Sequence, residues 1–482
     1  MWGPSGVPQC FDKLWLEDCL VGLWKIDVKD QILSLILNMN ETSEIVVRSP
    51  CGKTNPFTVE RIVKQGTVTG PQLCKVSTAE YGHNTPGFQL GAVNVKPPIF
   101  VDDILGLNND IVDTSESHKK AVLFSYRKRL DYSKPKCLYM IVNGKKSDIQ
   151  PVLEIDEHVI GQVSQSKYVG DIFNHKGTNS DLIEDRIRKG KGEMISLLAL
   201  GEESSLGKYT IQTMILLYSA KFVQMVIFNS CAWSHITKTN TTALERLQLR
   251  FLKLILWLPM STPNVFIFLE YGILPLGYEI QKRRMIYLHH VLTVEERDPV
   301  RQVYEQGLRL VFEPNWANDV KHLRSEYEID MADEQVAELD YDKWKEIVTE
   351  AVEKKVFTEL LQSAKASSKC KDLEYESFGV RGYLTSMSAK SARKIARLRS
   401  KMFVCKSNHK SSHKDLVCRA CGVEEETQDH LINCRQIHGD EAGTIDVPQC
   451  VNINPEDDLV TVDALLKRMA SVEQWLEVNV GQ

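Results

Sequence analysis

The chain has 482 residues, of which 43% are hydrophobic and 26% are charged, and its formal net charge is −5. These values are ordinary for a globular protein of roughly two to four domains, and they exclude a mainly disordered chain. An acidic protein has no general attraction for phosphate, so any nucleic-acid binding must come from a local basic patch.

The cysteines and the hydropathy pattern predict an intracellular protein, nuclear or cytoplasmic, without membrane contact. The twelve cysteines are irregularly spaced and no secretory signal is recognised, so we expect a reducing compartment where cysteines are buried or bind metal. The longest apolar run, Met214 to Phe228, contains Lys221 and Gln224 and is too short to cross a bilayer, which predicts a buried helix.

Two short motifs precede the first strongly apolar strand pattern. Phe11-Asp12 leads into an amphipathic helix predicted from about Leu16 to Asn38. Gln65-Gly66, followed by Gly70-Pro71, is typical of a loop that enters a helix.

Asp102 and Asp103 are adjacent carboxylates inside an apolar, β-branched run that predicts a hairpin. Neighbouring aspartates repel each other, and burying them is costly unless cations compensate. Such oxygen ligands suit Mg²⁺. A turn at the end of a strand would explain the pair taken alone, but the flanking motifs favour a metal site.

Two further motifs follow the aspartate pair. The segment Leu130 to Cys137 is rich in lysine and includes Lys136, while Tyr168-Val169-Gly170 predicts the turn of a short hairpin.

This ordered set resembles the palm of reverse transcriptases from non-long-terminal-repeat (non-LTR, LINE-like) retrotransposons. The resemblance covers roughly residues 8–295 and returns at 395–435, including a helical thumb. The matching motifs are A (Phe11-Asp12), B (Gln65-Gly66 with Gly70-Pro71), C (Phe100 to Asp103), D (Leu130 to Cys137) and E (Tyr168 to Gly170).

The resemblance implies an RNA-directed DNA polymerase, a nucleotidyltransferase that uses an RNA template, a DNA primer and Mg²⁺. It implies that Asp102 is the main metal ligand, with Asp103 assisting. It also implies that Lys136 is a proton donor to pyrophosphate, although an exposed lysine without this role is the default alternative. Phe11 would be the steric gate that selects deoxynucleotides, although a core aromatic is an equal interpretation. It further implies substrate contacts from Gln65, Gly66, Tyr168 and Gly170.

Motif A departs from the family pattern, in which an aspartate lies five residues before the gate aromatic. That position is Gly6, and Asp12 cannot replace the missing carboxylate because six residues along a strand span about 20 Å. Asp27 offers another register, but it would put Ile32 in the gate position and leave too short a gap before Gln65. We also expect the family's fingers region to be missing, and therefore an inactive or nearly inactive polymerase.

A basic segment runs from Lys390 to Lys414, with nine cations in 25 residues and no acidic residue between them. Such segments bind phosphate backbones without sequence specificity. A solvated helix face is the alternative, and the zinc motif that follows favours nucleic acid.

Cys418, Cys421, His430 and Cys434 form the pattern Cys-x2-Cys-x8-His-x3-Cys, which suits tetrahedral Zn²⁺. The pattern also resembles the zinc knuckle that follows the thumb in LINE-like elements. His430 and Cys434 are predicted on one face of a short helix. Nearby acids, including Glu426, are expected to keep phosphate away from the loop, and Cys405, His409 and His413 are spare donors.

The predicted fold is α+β: a partial polymerase palm with an antiparallel sheet and helices, then a helical thumb, a helical linker and a small zinc knuckle. The predicted limits are 1–175 for the palm, 176–300 for the thumb, 301–415 for the linker, 416–437 for the knuckle and 438–482 for a tail with one helix. A non-catalytic nucleic-acid-binding zinc protein is the alternative function, and a zinc-stabilised interaction protein is a third.

Overall fold

The computed structural model describes residues 2–4, 14–40, 43–59, 67–100, 103–130, 132–144, 152–155, 157–203, 209–233, 236–310, 315–440, 443–450, 452 and 458–480. They form a mixed α+β structure that is about 60% helical, with small sheets that are mainly antiparallel. This confirms the predicted α+β class. Within these ranges no helix is both long and apolar enough to span a bilayer.

The chain divides into two compact units, and each is discontinuous in sequence. Unit 1 consists of residues 1–182 and 294–317, and unit 2 consists of residues 183–293 and 318–482. The predicted thumb–linker limit at residue 300 falls inside the helix Pro299–Arg309, whose residues all belong to unit 1.

Unit 1 contains all the strands of the described structure. The strands are β1 (Trp2–Pro4), β2 (Ser43–Ile45), β3 (Arg48–Ser49), β4 (Gly52–Lys53), β5 (Phe57–Val59), β6 (Phe88–Leu90), β7 (Val93–Val95), β8 (Ile99–Phe100), β9 (Asp103–Ile104), β10 (Cys137–Tyr139), β11 (Glu154–Ile155), β12 (His158–Val159), β13 (Gly161–Gln162), β14 (Gln165–Tyr168) and β15 (Asp171–Asn174). Its helices are α1 (Leu16–Lys25), α2 (Asp30–Asn40), α3 (Gly70–Asn84), α4 (Ile111–Lys128) and, after unit 2 has begun, the helix Pro299–Arg309.

The helix predicted from Leu16 to Asn38 is instead two helices, α1 and α2. Asp27 adopts a left-handed backbone, with φ of 61°, and no α-helix continues through such a residue. The core of unit 1 lies between α1, α3 and α4, where Cys74, Tyr81 and Phe124 are buried. The rings of Tyr81 and Phe124 lie 5.6 Å apart.

The strands of unit 1 bring three distant segments together. β1 pairs antiparallel with β10, which pairs parallel with β13. β1 also contacts β9, the second strand of the hairpin β8–β9. Residues before 5, around 103 and around 137 therefore meet in one small β structure.

Unit 2 is helical in all its described residues that have regular structure. Its helices are α5 (Ser180–Glu203), α6 (Ile211–Leu217), α7 (Gln224–Val226), α8 (Lys238–Ile255), α9 (Asn264–Tyr271), α10 (Leu276–Thr293), α12 (Trp316–Glu326), α13 (Asp333–Glu338), α14 (Tyr341–Ala366), α15 (Gly382–Ser386), α16 (Ala389–Arg399), α17 (Gln428–Asn433), α18 (Arg435–His438), α19 (Val447–Cys450) and α20 (Leu459–Val480). The helix Pro299–Arg309 of unit 1 is α11, and the first residues of α5 and α12, 180–182 and 316–317, also belong to unit 1. The apolar run Met214 to Phe228 is helical as predicted, through α6, a π-helical turn at Tyr218–Val223 and α7. The prediction that it is a buried helix is only partly right, because Tyr218 and Phe222 are buried while Leu216 is 64% exposed on the other face.

A buried ion pair connects the middle of unit 2 to its C-terminal part. Glu270, on α9, is completely buried and accepts hydrogen bonds from Arg399, at the end of α16, at 2.8 to 3.2 Å. The hydroxyls of Tyr375 and Tyr383 donate to the same carboxylate, and burial raises the pKa of both tyrosines, which keeps these donors protonated. The four groups satisfy one another in a core from which water is excluded.

Gly272 follows Glu270 closely and ends α9 with a left-handed backbone, φ 56°. A Cβ atom at this position would lie 2.2 Å from the carbonyl carbon of Gly379. Only glycine therefore allows the two backbones to approach this closely beside the ion pair.

Glu270→Gln preserves side-chain size but leaves the Arg399 charge unpaired in the core. We expect the free energy of unfolding of unit 2 to fall by about 3 kcal/mol or more, measured by urea denaturation followed by circular dichroism. The control is Asp463→Asn, which removes an exposed ion pair with Lys467 on α20 and should leave the urea midpoint nearly unchanged. Equal midpoints for the two variants would contradict this role for Glu270.

Candidate functional site

The four predicted metal ligands come together in unit 2. The ligand atoms of Cys418, Cys421, His430 and Cys434 all lie within 4.8 Å of one another. A tetrahedral zinc ion bound by sulfur at about 2.3 Å needs neighbouring sulfurs about 4 Å apart. The cluster can therefore hold a metal ion, and its donor set is consistent with zinc.

The first two ligands lie on a tight turn. Gly422 donates its N–H to the carbonyl of Cys418 at 2.9 Å, and its φ of 70° allows the chain to reverse directly after Cys421. The N–H of Cys418 donates to the carbonyl of Glu424 at 2.8 Å, which closes the turn. These hydrogen bonds place both sulfurs on the same side of the loop.

The second two ligands come from α17. The Thr427 hydroxyl caps this helix by accepting from the N–H of His430 at 3.0 Å. The prediction placed both His430 and Cys434 within a helix, but α17 ends at Asn433 and Cys434 is its C-cap, with ψ of 117°. The extended backbone of Cys434 still brings its sulfur to the cluster.

The electrostatics of the cluster differ between its thiols, because burial raises the pKa of Cys434 to about 11 whereas the pKa of Cys421 is lowered. Hydrogen bonding from the backbone N–H of Glu424 is the main cause that lowers the pKa of Cys421 to about 6, so a thiolate is present at neutral pH. His430 Nε2 lies 3.3 Å from Cys421 Sγ, while its Nδ1–H donates to the Glu424 carboxylate at 3.1 Å. A carboxylate on the outer nitrogen is the usual way to orient a metal-binding histidine.

Glu426 supports the cluster from inside, contrary to the expectation that it repels phosphate at the surface. It is completely buried and accepts hydrogen bonds from the N–H and guanidinium of Arg419 and from the N–H of Lys406. Burial acts to raise its pKa, but the hydrogen bonds from Arg419 hold that pKa below its usual range. The charged carboxylate thereby fixes Arg419, which directly follows the ligand Cys418.

The spare donors near the knuckle do not join the ligand set. Among the residues that the structure describes, no second group of three or more such ligands assembles, and the four-residue group contains neither Cys405 nor His409 nor His413. The Cys405 thiol lies 3.5 Å from the Ser407 hydroxyl instead.

In unit 1, the structure brings motif C and motif E together. Asp103 begins β9 and pairs with Phe100 across the predicted hairpin. The Tyr168 hydroxyl donates to the carbonyl of Pro98 at 3.3 Å. Burial, and then the charge of Asp103, raise the pKa of Tyr168 to about 12, so the tyrosine hydroxyl lies close enough to sense that carboxylate.

Gly170 lies in a hairpin turn, and Lys136 lies just before a strand. Val169 and Gly170 both have positive φ, 45° and 88°, and form the two-residue turn between β14 and β15, which confirms the predicted hairpin. Lys136 is exposed at the end of a short 3-10 turn, Lys134–Lys136, immediately before β10.

Several predicted site residues lie outside the described residues. They are Asp102, Phe11, Gln65, Gly66 and Gly6, the position at which motif A departs from the family pattern. Their proposed roles remain predictions.

The basic segment is less uniform than its sequence indicates. Arg399 is buried against Glu270, and three lysines form ion pairs with acids from elsewhere: Lys394 with Glu473, Lys401 with Asp372 and Lys406 with Asp415. Lys390 and Lys414 are exposed. Arg393 and Arg397 lie beside the partly exposed Trp257. Fewer than nine cations therefore contribute to the basic surface, and this surface is centred on α16.

Sequence reasoning missed the buried role of Glu426, the position of Trp257 and the buried partner of Arg399. The burial of Glu426 could not be recognised from sequence, because it is the last of three consecutive glutamates at 424–426 and only its position in the structure distinguishes it from the other two. Neither the protein-family models nor the curated proteins contain a match to this chain.

The four-ligand cluster predicts about one zinc ion per chain, measured by elemental analysis after purification in the presence of zinc. Cys418→Ser and Cys421→Ser should each reduce the zinc content far below one, because serine does not supply a thiolate. Cys405→Ser is the matched control and should retain the full content. Unchanged zinc in the Cys421→Ser variant would show that the four residues are not the ligands.

Proposed function

We propose that the chain is a reverse-transcriptase-like protein of the non-LTR type, which binds nucleic acid and Zn²⁺ and has little or no polymerase activity. The proposal rests first on the ordered motifs A to E. It also rests on how unit 1 arranges the segments of motifs C, D and E and the strand that precedes motif A.

The arrangement in unit 1 is the observation that carries the proposal. β1 ends two residues before Gly6 of motif A, contacts β9 with Asp103 of motif C, and pairs with β10 directly after Lys136 of motif D. Tyr168 of motif E senses the charge of Asp103. Strand pairing thus brings together segments that are up to about 135 residues apart in sequence, and this supports the proposal because a polymerase site needs its groups in one place. Motif A itself lies outside the described residues.

In an active polymerase of this kind, Mg²⁺ would activate the primer hydroxyl and stabilise the leaving pyrophosphate. Asp102 and Asp103 would be its ligands in this chain. Gly6 supplies no carboxylate, so the site would lack one of the charges that hold the ion. This loss is the reason for proposing a strongly impaired enzyme.

We propose Zn²⁺ as the ion of the Cys418–Cys434 cluster, with a structural role. Four protein ligands complete a tetrahedral site and leave no open position for a substrate or a catalytic water. The ion would fix α17 against the loop that carries Cys418 and Cys421.

A second candidate function is that of a non-catalytic nucleic-acid-binding zinc protein, and it is favoured by the surface of α16. This helix presents Lys390, Arg393 and Arg397 toward one region, without an intervening acid in sequence. Such a surface contacts a phosphate backbone whether or not a polymerase site is functional.

Primer extension on an RNA template with Mg²⁺ or Mn²⁺ tests the polymerase proposal. We expect no incorporation above background by the natural chain, because the motif A carboxylate is missing. Gly6→Asp restores that carboxylate and should raise incorporation, whereas Gly6→Asn, the matched uncharged control, should not.

Asp102→Ala identifies the source of any activity. Incorporation by the natural chain that disappears in the Asp102→Ala variant would overturn the proposal that the enzyme is impaired. Failure of Gly6→Asp to show any gain would remove the support for the Gly6 register.

Binding of a labelled single-stranded RNA should weaken steeply with salt, because lysine and arginine release counterions from the phosphates. With about three phosphate contacts, the slope of log K against log salt should be near −2. Fluorescence anisotropy at several NaCl concentrations measures it. Absent or salt-independent binding would instead support a zinc-stabilised interaction protein.

A further inference from the structure

Unit 2 contains a groove of about 400 Å³ between the C-terminal end of α8, the helix α16 and the helix α20. We propose that this groove binds single-stranded nucleic acid, with the Trp257 ring as a platform on which a base stacks. Lys390 and Arg397 would contact the flanking phosphates. The inference rests on the proposed nucleic-acid binding and gives that function a specific site.

Trp257 has an unusual backbone conformation. It follows α8 with a φ of 54°, the left-handed region that bulky residues rarely adopt. Its N–H donates to the carbonyl of Leu254, and the N–H of Leu258 donates to the carbonyl of Lys253, which together form a Schellman helix end. Glycine is the usual residue at this position, so the indole is held there at a conformational cost.

A buried lysine keeps the Trp257 loop rigid. The Lys253 ammonium is buried and donates to the carbonyls of Met260 and Thr262 and to the side-chain oxygen of Asn264, all at 2.7 to 2.8 Å. These bonds fix the chain directly after Trp257. A rigid platform loses little entropy when a base stacks on it.

The cations of the groove are arranged around the indole. The Arg393 guanidinium lies 3.8 Å from the centre of the Trp257 ring, and its Nε–H donates to the carbonyl of Ile255 at 3.0 Å. Arg397 donates to the carbonyl of Trp257 at 3.3 Å. Trp257 nevertheless keeps 54% of its surface exposed. Aromatic rings and guanidinium planes are the surfaces on which unpaired bases stack.

The charge of the groove also suits a phosphate backbone. Lys390, Arg393, Lys394 and Arg397 line it together with two acids, Glu473 and Glu477. Lys394 pairs with Glu473 at 2.6 Å, which neutralises one of these acids. Lys390, Arg393 and Arg397, which all lie on α16, then outnumber the one other acid, Glu477.

The test uses the full chain and a labelled oligouridine of about 20 nucleotides, with binding measured by fluorescence anisotropy at low salt. Trp257→Ala should weaken binding about tenfold, and Trp257→Phe should retain most of the affinity. Trp24→Ala is the matched control, because Trp24 is an exposed tryptophan of unit 1, 64% exposed. Arg397→Gln should lower the salt slope by about 0.7, whereas the exposed control Arg297→Gln should leave it unchanged.

Trp257→Gly separates binding from folding. Glycine relieves the left-handed strain, so the thermal midpoint should equal or exceed that of the natural chain, while binding falls as it does for Trp257→Ala. A merely structural role for Trp257 would lower the midpoint instead.

The possible outcomes are distinct. If the natural chain binds the oligouridine and the Trp257 and Arg397 variants bind equally well, the groove is not the site, although nucleic-acid binding stands. If the natural chain does not bind at low salt, the proposed nucleic-acid function itself fails. Loss of binding in the Trp24→Ala control to the same extent would also overturn the assignment of the groove.

Discussion

The pairing of Glu270 with Arg399 is the constraint on which the organisation of unit 2 depends. Either charge alone would be strongly unfavourable in a dry core, and the two are acceptable only because they meet with two tyrosine hydroxyls. Since α16 must deliver Arg399 to α9, the rotation of α16 is fixed. That rotation determines which of its other cations face outward, beside Trp257, and it sets the start of the chain that leads to the metal cluster.

The metal cluster repeats the same physical solution on a smaller scale. Glu426 is a second completely buried carboxylate that is held by an arginine, and here the arginine adjoins a metal ligand. The hydrogen bonds that this carboxylate accepts from Arg419 and Lys406 tie down the loop between Cys418 and α17 without a contribution from the ion. Metal binding then adds to a partly ordered loop, so less of the binding energy is spent on ordering the chain.

Local patterns were predictable from sequence, and distant or conformational ones were not. The ligand spacing identified the Cys/His cluster, because four short-range positions decide it. The turn at Val169-Gly170 and the C-terminal helix α20 followed from equally local signals. The break at Asp27 depends on a single backbone angle, and the partner of Arg399 lies 129 residues away, so neither had a sequence signature. The palm assignment rests on motif order, and Asp102 and Phe11 lie outside the described residues, which leaves the polymerase centre a proposal.

The interruption of unit 2 by residues 294–317 limits how the protein could be divided. This segment returns to unit 1, where α11 contacts β7 and Gln306 lies so close to Gly91 that a side chain there would collide with it. A fragment that stops at residue 182 would therefore uncover the β6–β7 hairpin. No single cut in the gene separates the two units, because the chain returns to unit 1 at residue 294 and enters unit 2 again at residue 318. A fragment that ends between these units in sequence would therefore leave at least one unit incomplete.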